Sequence, residues 1–244
     1  MSSTQEWEFP SYTPTIHRSV YPAIDPSNKA NSAAGKVVIV TGGGAGIGKN
    51  IANAFVTAGA KAVTILGRRE NVLLEAKKEL EGKGTAILTF VADVLDEKAL
   101  NAAFAETAKQ FGGVDVAVAN AGYLATPALA ADADVDDYFK AFEINIKGTL
   151  LTFRAFVANK SSSKASEPVF ISVNTAGAHA GLFPQMSSYA ASKMGQAHMV
   201  SHFQAEYPDV RVVQFHPGMF FSTHRSSTSS LLVLIKFQVS LLRT

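Results

Sequence analysis

The chain has 244 residues, 47% of them hydrophobic and 17% charged, a balance typical of a globular domain rather than a disordered one. Its formal net charge of +2, without a long basic run, argues against nucleic-acid binding, and the lack of cysteine excludes disulfides and thiolate catalysis. The sequence shows neither a signal peptide nor the roughly 18 apolar residues in a row of a membrane helix, so we predict a cytoplasmic protein without a membrane partner. His198 and His202 share a helix face but lack a third ligand, so no metal site is predicted.

Taken in chain order, the first segment is a polar arm. Residues 1–34 contain four prolines and show no hydrophobic periodicity, which predicts an extended N-terminal arm. From residue 35 onward, short apolar runs alternate with amphipathic segments. The predicted strands are 37–40, 62–66, 86–91, 114–119, 169–173 and 210–215. The predicted helices are 47–58, 73–80, 100–111, 139–157 and 189–207, and the fourth carries an apolar stripe from Phe139 to Val157.

This alternation of strands and helices predicts the fold class. It indicates a single α/β domain with a Rossmann-type, doubly wound parallel sheet in three α/β/α layers, which we assign to residues 35–222. Sheets of this kind bind ligands at the carboxyl ends of their strands. Residues 223–244 form an atypical C-terminal tail, in which a serine-rich stretch precedes alternating apolar residues at 235–241. That alternation predicts one further strand.

A glycine-rich segment, Thr41–Gly48, joins the first predicted strand to the first predicted helix. Glycines let the backbone approach a pyrophosphate closely, and the helix N-terminus supplies amide donors. Such a string alone is equally compatible with a flexible turn, but its place after a buried strand favours dinucleotide binding. The predicted cofactor-binding residues of this turn are Gly42, Gly44, Gly46, Ile47 and Gly48.

Basic residues follow the second predicted strand, about 20 residues after the glycines, where dinucleotide-binding domains often carry an acidic residue for the ribose hydroxyl. Here Arg68 and Arg69 occupy that place. Two guanidinium groups favour a 2′-phosphate through bidentate contacts, so NADP(H) is the preferred cofactor and NAD(H) the alternative. A solvated helix start, for which Glu70 is equally typical, would explain the same residues without a cofactor.

Tyr189 and Lys193 are four residues apart on a predicted helix, so their side chains share one face. An ammonium beside a phenol is expected to lower the phenol's pKa, which is normally about 10. Such a tyrosine can act as a general acid in carbonyl reduction or as a general base in alcohol oxidation. The alternative is a half-buried tyrosine beside a surface lysine.

These motifs carry a family resemblance. Thr41-Gly-x3-Gly-x-Gly48 together with Tyr189-Ala-Ala-Ser-Lys193 resembles the short, single-domain branch of the short-chain dehydrogenase/reductase family, over about residues 35–222. The proline-bearing N-terminal arm is similar to arms on fungal members of that family. Further landmarks stand in the family's order, namely Asp93-Val94, Asn120-Ala121-Gly122, Asn145 and Pro217-Gly218.

The resemblance implies a role for each landmark. Tyr189 would exchange the proton, Lys193 would also hold the hydroxyls of the nicotinamide ribose, and Asn145 would hold a water on the proton path. The remaining landmarks would line the cofactor, with Asp93 and Val94 at the adenine ring, Asn120, Ala121 and Gly122 after the fourth strand, and Pro217 and Gly218 over the nicotinamide.

The sequence departs from the family pattern at two places. The serine that polarises the substrate oxygen is absent, and Thr175 is the nearest hydroxyl, with Asn174 beside it. A threonine hydroxyl donates the same hydrogen bond, so we predict Thr175 in this role. Beyond Pro217-Gly218, Ser222 is the predicted hydroxyl for the nicotinamide carboxamide, with Thr223 as the alternative, but the tail that follows does not match the family's C-terminal end.

The sequence therefore predicts an NADP(H)-dependent oxidoreductase that transfers a hydride between nicotinamide and a small carbonyl or alcohol. The resemblance also implies a homodimer or homotetramer, with an interface along the long helix at about residues 141–158. The main alternative is a catalytically impaired NADP(H)-binding or interaction protein with a shortened C-terminus. Sugar-nucleotide epimerase or dehydratase chemistry fits less well, because those enzymes have a different glycine spacing and a larger substrate domain.

Overall fold

The computed structural model describes residues 19–163, 167–179 and 182–218. Three predictions lie outside these residues: the position of Ser222, the strand at 235–241, and the first part of the N-terminal arm. The described part contains every strand and helix predicted between residues 37 and 215.

A single parallel sheet of six strands forms the centre of the molecule. The strands are β1 Val37–Thr41, β2 Ala62–Gly67, β3 Ala86–Val91, β4 Val116–Ala119, β5 Val169–Val173 and β6 Arg211–Phe215. Their order across the sheet is β3-β2-β1-β4-β5-β6, and every neighbouring pair is parallel. All five residues of β1 are buried, as expected for a strand covered on both faces. The predicted doubly wound sheet is confirmed.

Helices cover both faces of this sheet and produce the three predicted layers. The helices are α1 Gly46–Thr57, α2 Glu70–Leu80, α3 Glu97–Phe111, α4 Val135–Phe142, α5 Gly148–Asn159 and α6 Ser187–Glu206. One buried apolar cluster includes Phe104 of α3, Phe156 of α5 and Phe203 of α6. The other includes Val56 of α1 and Leu73 of α2. The sheet separates two apolar cores, which positions the strand ends rigidly.

The long helix predicted at 139–157 is interrupted in the structure. A π-helical turn at Glu143–Lys147 separates α4 from α5. The wider turn shifts the helix face that follows it, so Asn145 is turned inward and is 0% exposed. The predicted apolar stripe is consequently not one buried face, because Phe139 is 56% exposed and Leu150 is 37% exposed. Apolar spacing alone carried no sign of this turn, and π turns are frequent at functional sites.

The described part of the N-terminal arm, residues 19–34, departs from the extended path that we predicted. It forms two 3-10 turns, Pro22–Ile24 and Lys29–Asn31. The Asn31 side chain holds them together by donating to the carbonyls of Ala23 and Asp25. The arm then reaches the domain, where the Ala33 amide donates to the Ala58 carbonyl at the end of α1. Side-chain amides thus replace the regular hydrogen bonds that the prolines prevent.

Candidate active site

A cavity of about 970 Å³ opens at the carboxyl ends of the strands, beside the point where the strand order reverses between β1 and β4. It brings together nearly all the residues singled out from the sequence. Those that line it are Gly42, Gly44, Gly46, Ile47, Gly48, Arg68, Arg69, Asp93, Val94, Asn120, Ala121, Gly122, Thr175, Tyr189, Lys193, Pro217 and Gly218. Asn145 is buried, outside the cavity wall.

The glycine turn at one end of this cavity is packed too closely for larger residues. A Cβ on Gly48 would lie 2.2 Å from the Gly42 carbonyl oxygen and 2.5 Å from Asn120 Nδ2. Gly42 itself has a φ of +66°, in the left-handed region that favours glycine. Helix α1 begins within this glycine-rich segment, at Gly46, so its N-terminal amides and positive dipole end belong to the cavity. This arrangement suits a phosphate group.

Asn120 fastens the turn to the neighbouring strand. Its Nδ2 donates to the Thr41 carbonyl at 2.9 Å, and its backbone amide donates to Thr41 Oγ1 at 3.1 Å. The same hydroxyl accepts from the Ala121 amide at 3.1 Å and donates to the Val118 carbonyl at 3.2 Å. These bonds tie the end of β4 to the end of β1. Although Asn120 lines the cavity, its side-chain amide bonds to the turn's own backbone.

The two arginines that follow β2 lie at the outer end of the cavity. Arg68 Nη1 is 4.0 Å from Asp93 Oδ2, and the two side chains are 67% and 39% exposed. The other oxygen of Asp93 accepts from the Leu95 amide at 2.9 Å, which fixes the carboxylate. Arg69 is the N-cap residue of α2. A loose ion pair of this kind, open to water, leaves the Arg68 guanidinium available to a stronger anion.

Tyr189, in the first turns of α6, faces Thr175, which follows β5. Burial raises the pKa of the Tyr189 phenol, and a hydrogen bond with the Thr175 side chain acts in the opposite direction. Thr175 Oγ1 also accepts from the Gly177 amide at 3.2 Å. The expectation that Lys193 lowers the pKa of Tyr189 is wrong for this structure, because desolvation of the phenol dominates and Lys193 is not among the causes.

Lys193, one turn further along α6, is 4% exposed. Its ammonium donates to the Val173 carbonyl at 3.0 Å and to Gln196 Oε1 at 2.8 Å. Both acceptors are uncharged, and burial lowers the pKa of Lys193 to about 8. The alternative interpretation of this pair, with a lysine on the surface, is wrong, because Lys193 is buried at the cavity wall.

Asn145 lies in the π turn, and both the oxygen and the nitrogen of its side-chain amide have hydrogen-bond partners. Its Oδ1 accepts from the Tyr123 amide at 2.9 Å, and its Nδ2 donates to the Tyr123 carbonyl and to Ser192 Oγ, both at 2.9 Å. The backbone carbonyl of Asn145 accepts from Thr149 Oγ1 at 2.7 Å. The side chain therefore positions the loop after β4 against α6, and its polar atoms are already paired.

The sequence did not predict the contacts that three residues near these groups make. Tyr123 Oη donates to Asp137 Oδ1 at 2.5 Å, and this bond is the main cause that raises the pKa of Tyr123. Asn174, predicted only as a replacement for a serine, bonds to the Lys193 carbonyl at 3.3 Å and to Gln214 Oε1 at 3.2 Å. Gln196 contacts the Lys193 ammonium. The one signal in the sequence was a polar residue on the buried side of a predicted helix, three residues after Lys193.

The geometry defines what the site can do chemically. It combines a buried phenol, a hydroxyl bonded to it, and an ammonium one helical turn away, all on the wall of a cavity that begins at an amide-rich glycine turn. Such a set can hold an anionic dinucleotide at one end and exchange a proton with a polar group at the other. In the part of the chain that the structure describes, no group of three or more potential metal ligands occurs. None of the described helices is long and apolar enough to cross a membrane.

Comparison with known sequences gives a consistent result. Residues 36–230 match the family model described as short chain dehydrogenase. The chain is 34% identical over 210 residues to the short chain dehydrogenase tazN of Aspergillus terreus, a match that covers 84% of this chain and 45% of tazN. The chain thus spans less than half the length of that relative. It is 32% identical over 214 residues to the short chain dehydrogenase pigC of Monascus ruber, covering 84% of this chain and 69% of pigC.

Solved structures resemble the described fold. An alcohol dehydrogenase from the archaeon Thermococcus sibiricus, complexed with 5-hydroxy-NADP, has a TM-score of 0.71 and 27% identity, covering 80% of this chain and 82% of that one. A short-chain dehydrogenase/reductase of unknown function from Caenorhabditis elegans, solved with cofactor, has a TM-score of 0.69 and 28% identity, covering 77% and 70%.

Proposed function

The chain belongs to the short chain dehydrogenase family, and from this premise we propose that it is an NADP(H)-dependent oxidoreductase acting on a small carbonyl or alcohol. One observation carries the proposal. Tyr189 and Lys193 of α6 and Thr175 after β5 lie on the wall of the same cavity as the glycine turn, although that turn lies far earlier in the chain. A phenol and an ammonium in a dinucleotide-sized cleft serve proton exchange with a substrate oxygen.

The residues of the cavity fit a dinucleotide. The turn that contains Gly42 and Gly48 admits no side chain at its tightest point, and α1 directs its N-terminal amides there, so this end would hold the pyrophosphate. Asp93 and Val94 would border the adenine, and Pro217 and Gly218 would border the nicotinamide. Hydride transfer is the chemistry that NADP(H) supplies when bound. The protein's own residues bind, orient and move the proton.

In carbonyl reduction, Tyr189 would donate its phenolic proton to the substrate oxygen, and in alcohol oxidation it would accept that proton. The phenol carries its proton at neutral pH, because its ordinary pKa is about 10 and burial raises it further, so Tyr189 has a proton to donate. The hydroxyl of Thr175 would donate a second hydrogen bond to the same substrate oxygen as charge develops on it. Its place beside Tyr189 on the cavity wall supports this assignment.

Lys193 would act through its charge and its remaining donor. An ammonium has three hydrogens, and two are directed to Val173 and Gln196. The third can serve the nicotinamide ribose. In this structure desolvation dominates the Tyr189 pKa, but a positive charge on the same cavity wall would favour the phenolate when the proton has left. Asn145 would support the site by holding the Tyr123 loop against α6.

The NADP(H) preference is the finer part of the proposal. Arg68 and Arg69 line the cavity, and Asp93 is a weak, exposed ion-pair partner of the Arg68 guanidinium. A 2′-phosphate offers a stronger, bidentate anion. The similar archaeal alcohol dehydrogenase is complexed with 5-hydroxy-NADP, which supports the same choice. NAD(H) remains the alternative cofactor.

Three further predictions remain proposals. The exposed apolar residues Phe139 and Leu150 support a homodimer or homotetramer that uses the α4–α5 face. The cytoplasmic location and the domain boundaries at 35 and 222 also stay predictions.

The test uses purified protein, NADPH and a panel of ketones, aldehydes and quinones, with oxidation followed by absorbance. We expect turnover of at least one substrate and a loss of roughly a hundredfold to ten-thousandfold in kcat for Tyr189→Phe, because the acid is removed. Tyr207→Phe, the same substitution at the C-terminal end of α6 and outside the cavity, is the matched control and should lose far less. If the protein binds NADPH but turns over no substrate of the panel, and Tyr189→Phe leaves NADPH binding unchanged, a binding-only protein would be favoured instead.

A further inference from the structure

Gln196 is a fully buried amide on α6, three residues beyond Lys193. Its side chain is 0% exposed, and burial of an amide is costly unless its polar atoms are paired. Here Oε1 accepts from Lys193 Nζ at 2.8 Å, and Nε2 donates to Thr149 Oγ1 at 3.2 Å and to Ser172 Oγ at 2.9 Å. Every donor and the acceptor of the amide are satisfied. Gln196 therefore links the ammonium to hydroxyls from α5 and β5.

The orientation of this amide is determined by its neighbours. The ammonium of Lys193 can only donate, so the amide oxygen must face it. The Thr149 hydroxyl gives its single hydrogen to the Asn145 carbonyl at 2.7 Å, so its oxygen can only accept and requires the amide nitrogen. Both neighbours demand the same orientation, and a flipped amide would lose both hydrogen bonds. Gln196 thus presents a fixed acceptor to Lys193.

We propose that Gln196 is a positioning residue, which holds the Lys193 ammonium at the cavity wall through an uncharged acceptor. The inference rests on the proposed function, in which that ammonium meets the cofactor and supports Tyr189. With Val173 and Gln196 each taking one hydrogen, the third remains for the cavity. A carboxylate at this position would bind the ammonium as an ion pair and neutralise its charge, and an apolar side chain would leave it only the Val173 carbonyl.

The surroundings of Lys193 make this uncharged acceptor important. The other titratable or charged side chains that line the same cavity are Lys49, Arg68, Arg69, Glu75, Glu79, Asp93, Tyr123, Tyr189 and His216. None of them is among the causes of the Lys193 pKa shift. The elements around α6 carry exposed charged side chains at Asp136, Lys140, Glu143, Lys147, Arg154 and Arg211. Asp137 accepts from Tyr123, and β5 and α5 direct only uncharged groups at Lys193 and Gln196. Burial alone accordingly lowers the pKa of Lys193, to about 8.

The test compares two substitutions of nearly equal size, Gln196→Glu and Gln196→Met. Protein labelled with 13C at the lysine ε-carbons is titrated without cofactor, and the Lys193 signal is assigned by its loss in Lys193→Arg. We expect Gln196→Glu to raise the pKa of Lys193 by about one unit or more, because an opposite charge favours the ammonium. Gln196→Met should lower it, because a hydrogen bond to the charged form is lost. A purely structural role would not shift the pKa in opposite directions.

Gln204 provides a matched control on the same helix. Its amide donates to the Val210 carbonyl at 3.1 Å and accepts from the Val212 amide at 2.8 Å, so it is structurally engaged without touching Lys193. Gln204→Glu and Gln204→Met should leave the Lys193 titration unchanged. If Gln196→Met does not fold, the titration of Lys193 in Gln196→Glu tests the inference by itself. An unchanged Lys193 pKa in the folded Gln196 variants would overturn the inference.

A kinetic measurement separates this inference from the proposed function. In carbonyl reduction, the pH above which kcat declines should move upward in Gln196→Glu and downward in Gln196→Met, following the Lys193 ammonium. If the wild-type protein turns over no substrate, the proposed function fails, and the cofactor-free titration still decides whether Gln196 controls Lys193. If turnover is normal and the titration does not respond, only the role of Gln196 is wrong.

Discussion

The two ends of the cavity are built in different ways. At the glycine end, the shape comes from backbone, because Gly42 and Gly48 leave no room for side chains and Asn120 ties the strands together. At the α6 end, the shape comes from buried side chains, because Lys193 and Gln196 bond to each other and to groups of α5 and β5. The glycine end depends on the absence of side chains and has no room for an added atom. The α6 end depends on charges and hydrogen bonds, so it responds to pH and to single polar atoms.

The largest effect on cofactor binding is expected at the glycine end. Gly48→Ala would place a methyl group 2.2 Å from the Gly42 carbonyl oxygen, so the turn must move. We expect the Kd for NADPH to rise by roughly a hundredfold, about 3 kcal/mol, together with a lower Tm, because overpacking distorts the backbone that holds the phosphates. Fluorescence titration of NADPH and thermal melts measure the two effects.

Gly67→Ala is the matched control for this prediction. Gly67 also lines the cavity, but its added Cβ would be 3.5 Å from the nearest atom, Leu73 Cδ2, which is ordinary contact. Its Kd should change little. Equal Kd values for wild type and Gly48→Ala would show that this end of the cavity is less rigid than its packing indicates.

At the α6 end, the buried charge of Lys193 should make stability depend on pH. The pKa of Lys193 is lowered from 10.5 to about 8 in the folded protein. Between these values the unfolded chain holds a proton that the folded chain has released, so raising the pH favours folding. From about pH 7 to about pH 9.5, the unfolding free energy of cofactor-free wild type should gain roughly 2 kcal/mol relative to Lys193→Met.

Urea unfolding at several pH values measures this difference, and the titration of Tyr189 cancels because both proteins contain it. Lys98→Met, which removes an exposed lysine on α3, should run parallel to the wild type. A constant difference between wild type and Lys193→Met across the pH range would mean that Lys193 is more hydrated than its 4% exposure indicates.

The same contrast explains what the sequence could predict. The strands were found because buried parallel strands are nearly continuous apolar runs, and β3 and β5 began and ended where predicted. The glycine turn was found because glycine is required where φ is positive or backbones touch. The π turn and the inward position of Asn145 were missed, because helical spacing assumes 3.6 residues per turn throughout.

The side-chain pairings at α6 were beyond sequence analysis for another reason. Gln196 meets Thr149 and Ser172, which are 47 and 24 residues away in the chain, so no local pattern joins them. The sign of the Tyr189 pKa shift was also wrong, because a Tyr-x3-Lys spacing indicates nearness to a charge but not the degree of burial. Desolvation can be judged only from the packed structure.

A smaller effect is expected for the hydroxyl beside Tyr189. Thr175→Ala should lower kcat by about tenfold to a hundredfold, because one donor to the developing charge on the substrate oxygen is lost. Thr175→Ser keeps that donor and should retain most of the activity. NADPH affinity should be nearly the same in both variants, since the glycine end is untouched. Steady-state kinetics with the best substrate of the panel test this, and unchanged turnover in Thr175→Ala would assign the polarising role to another group.

The smallest effect is expected at the outer rim, where charges are exposed to water. Arg68→Leu should reduce the ratio of kcat/KM for NADPH to that for NADH by about tenfold, roughly 1.4 kcal/mol, because one cation for the 2′-phosphate is lost. Arg154→Leu is the matched control. Arg154 on α5 is similarly exposed, lies outside the cavity and pairs with Glu97 of α3 at 3.2 Å. Added salt should shrink the Arg68 effect, because exposed charges are screened, whereas the Gly48 effect should persist. A ratio that favours NADH in the wild type would refute the cofactor preference while leaving the buried α6 end intact.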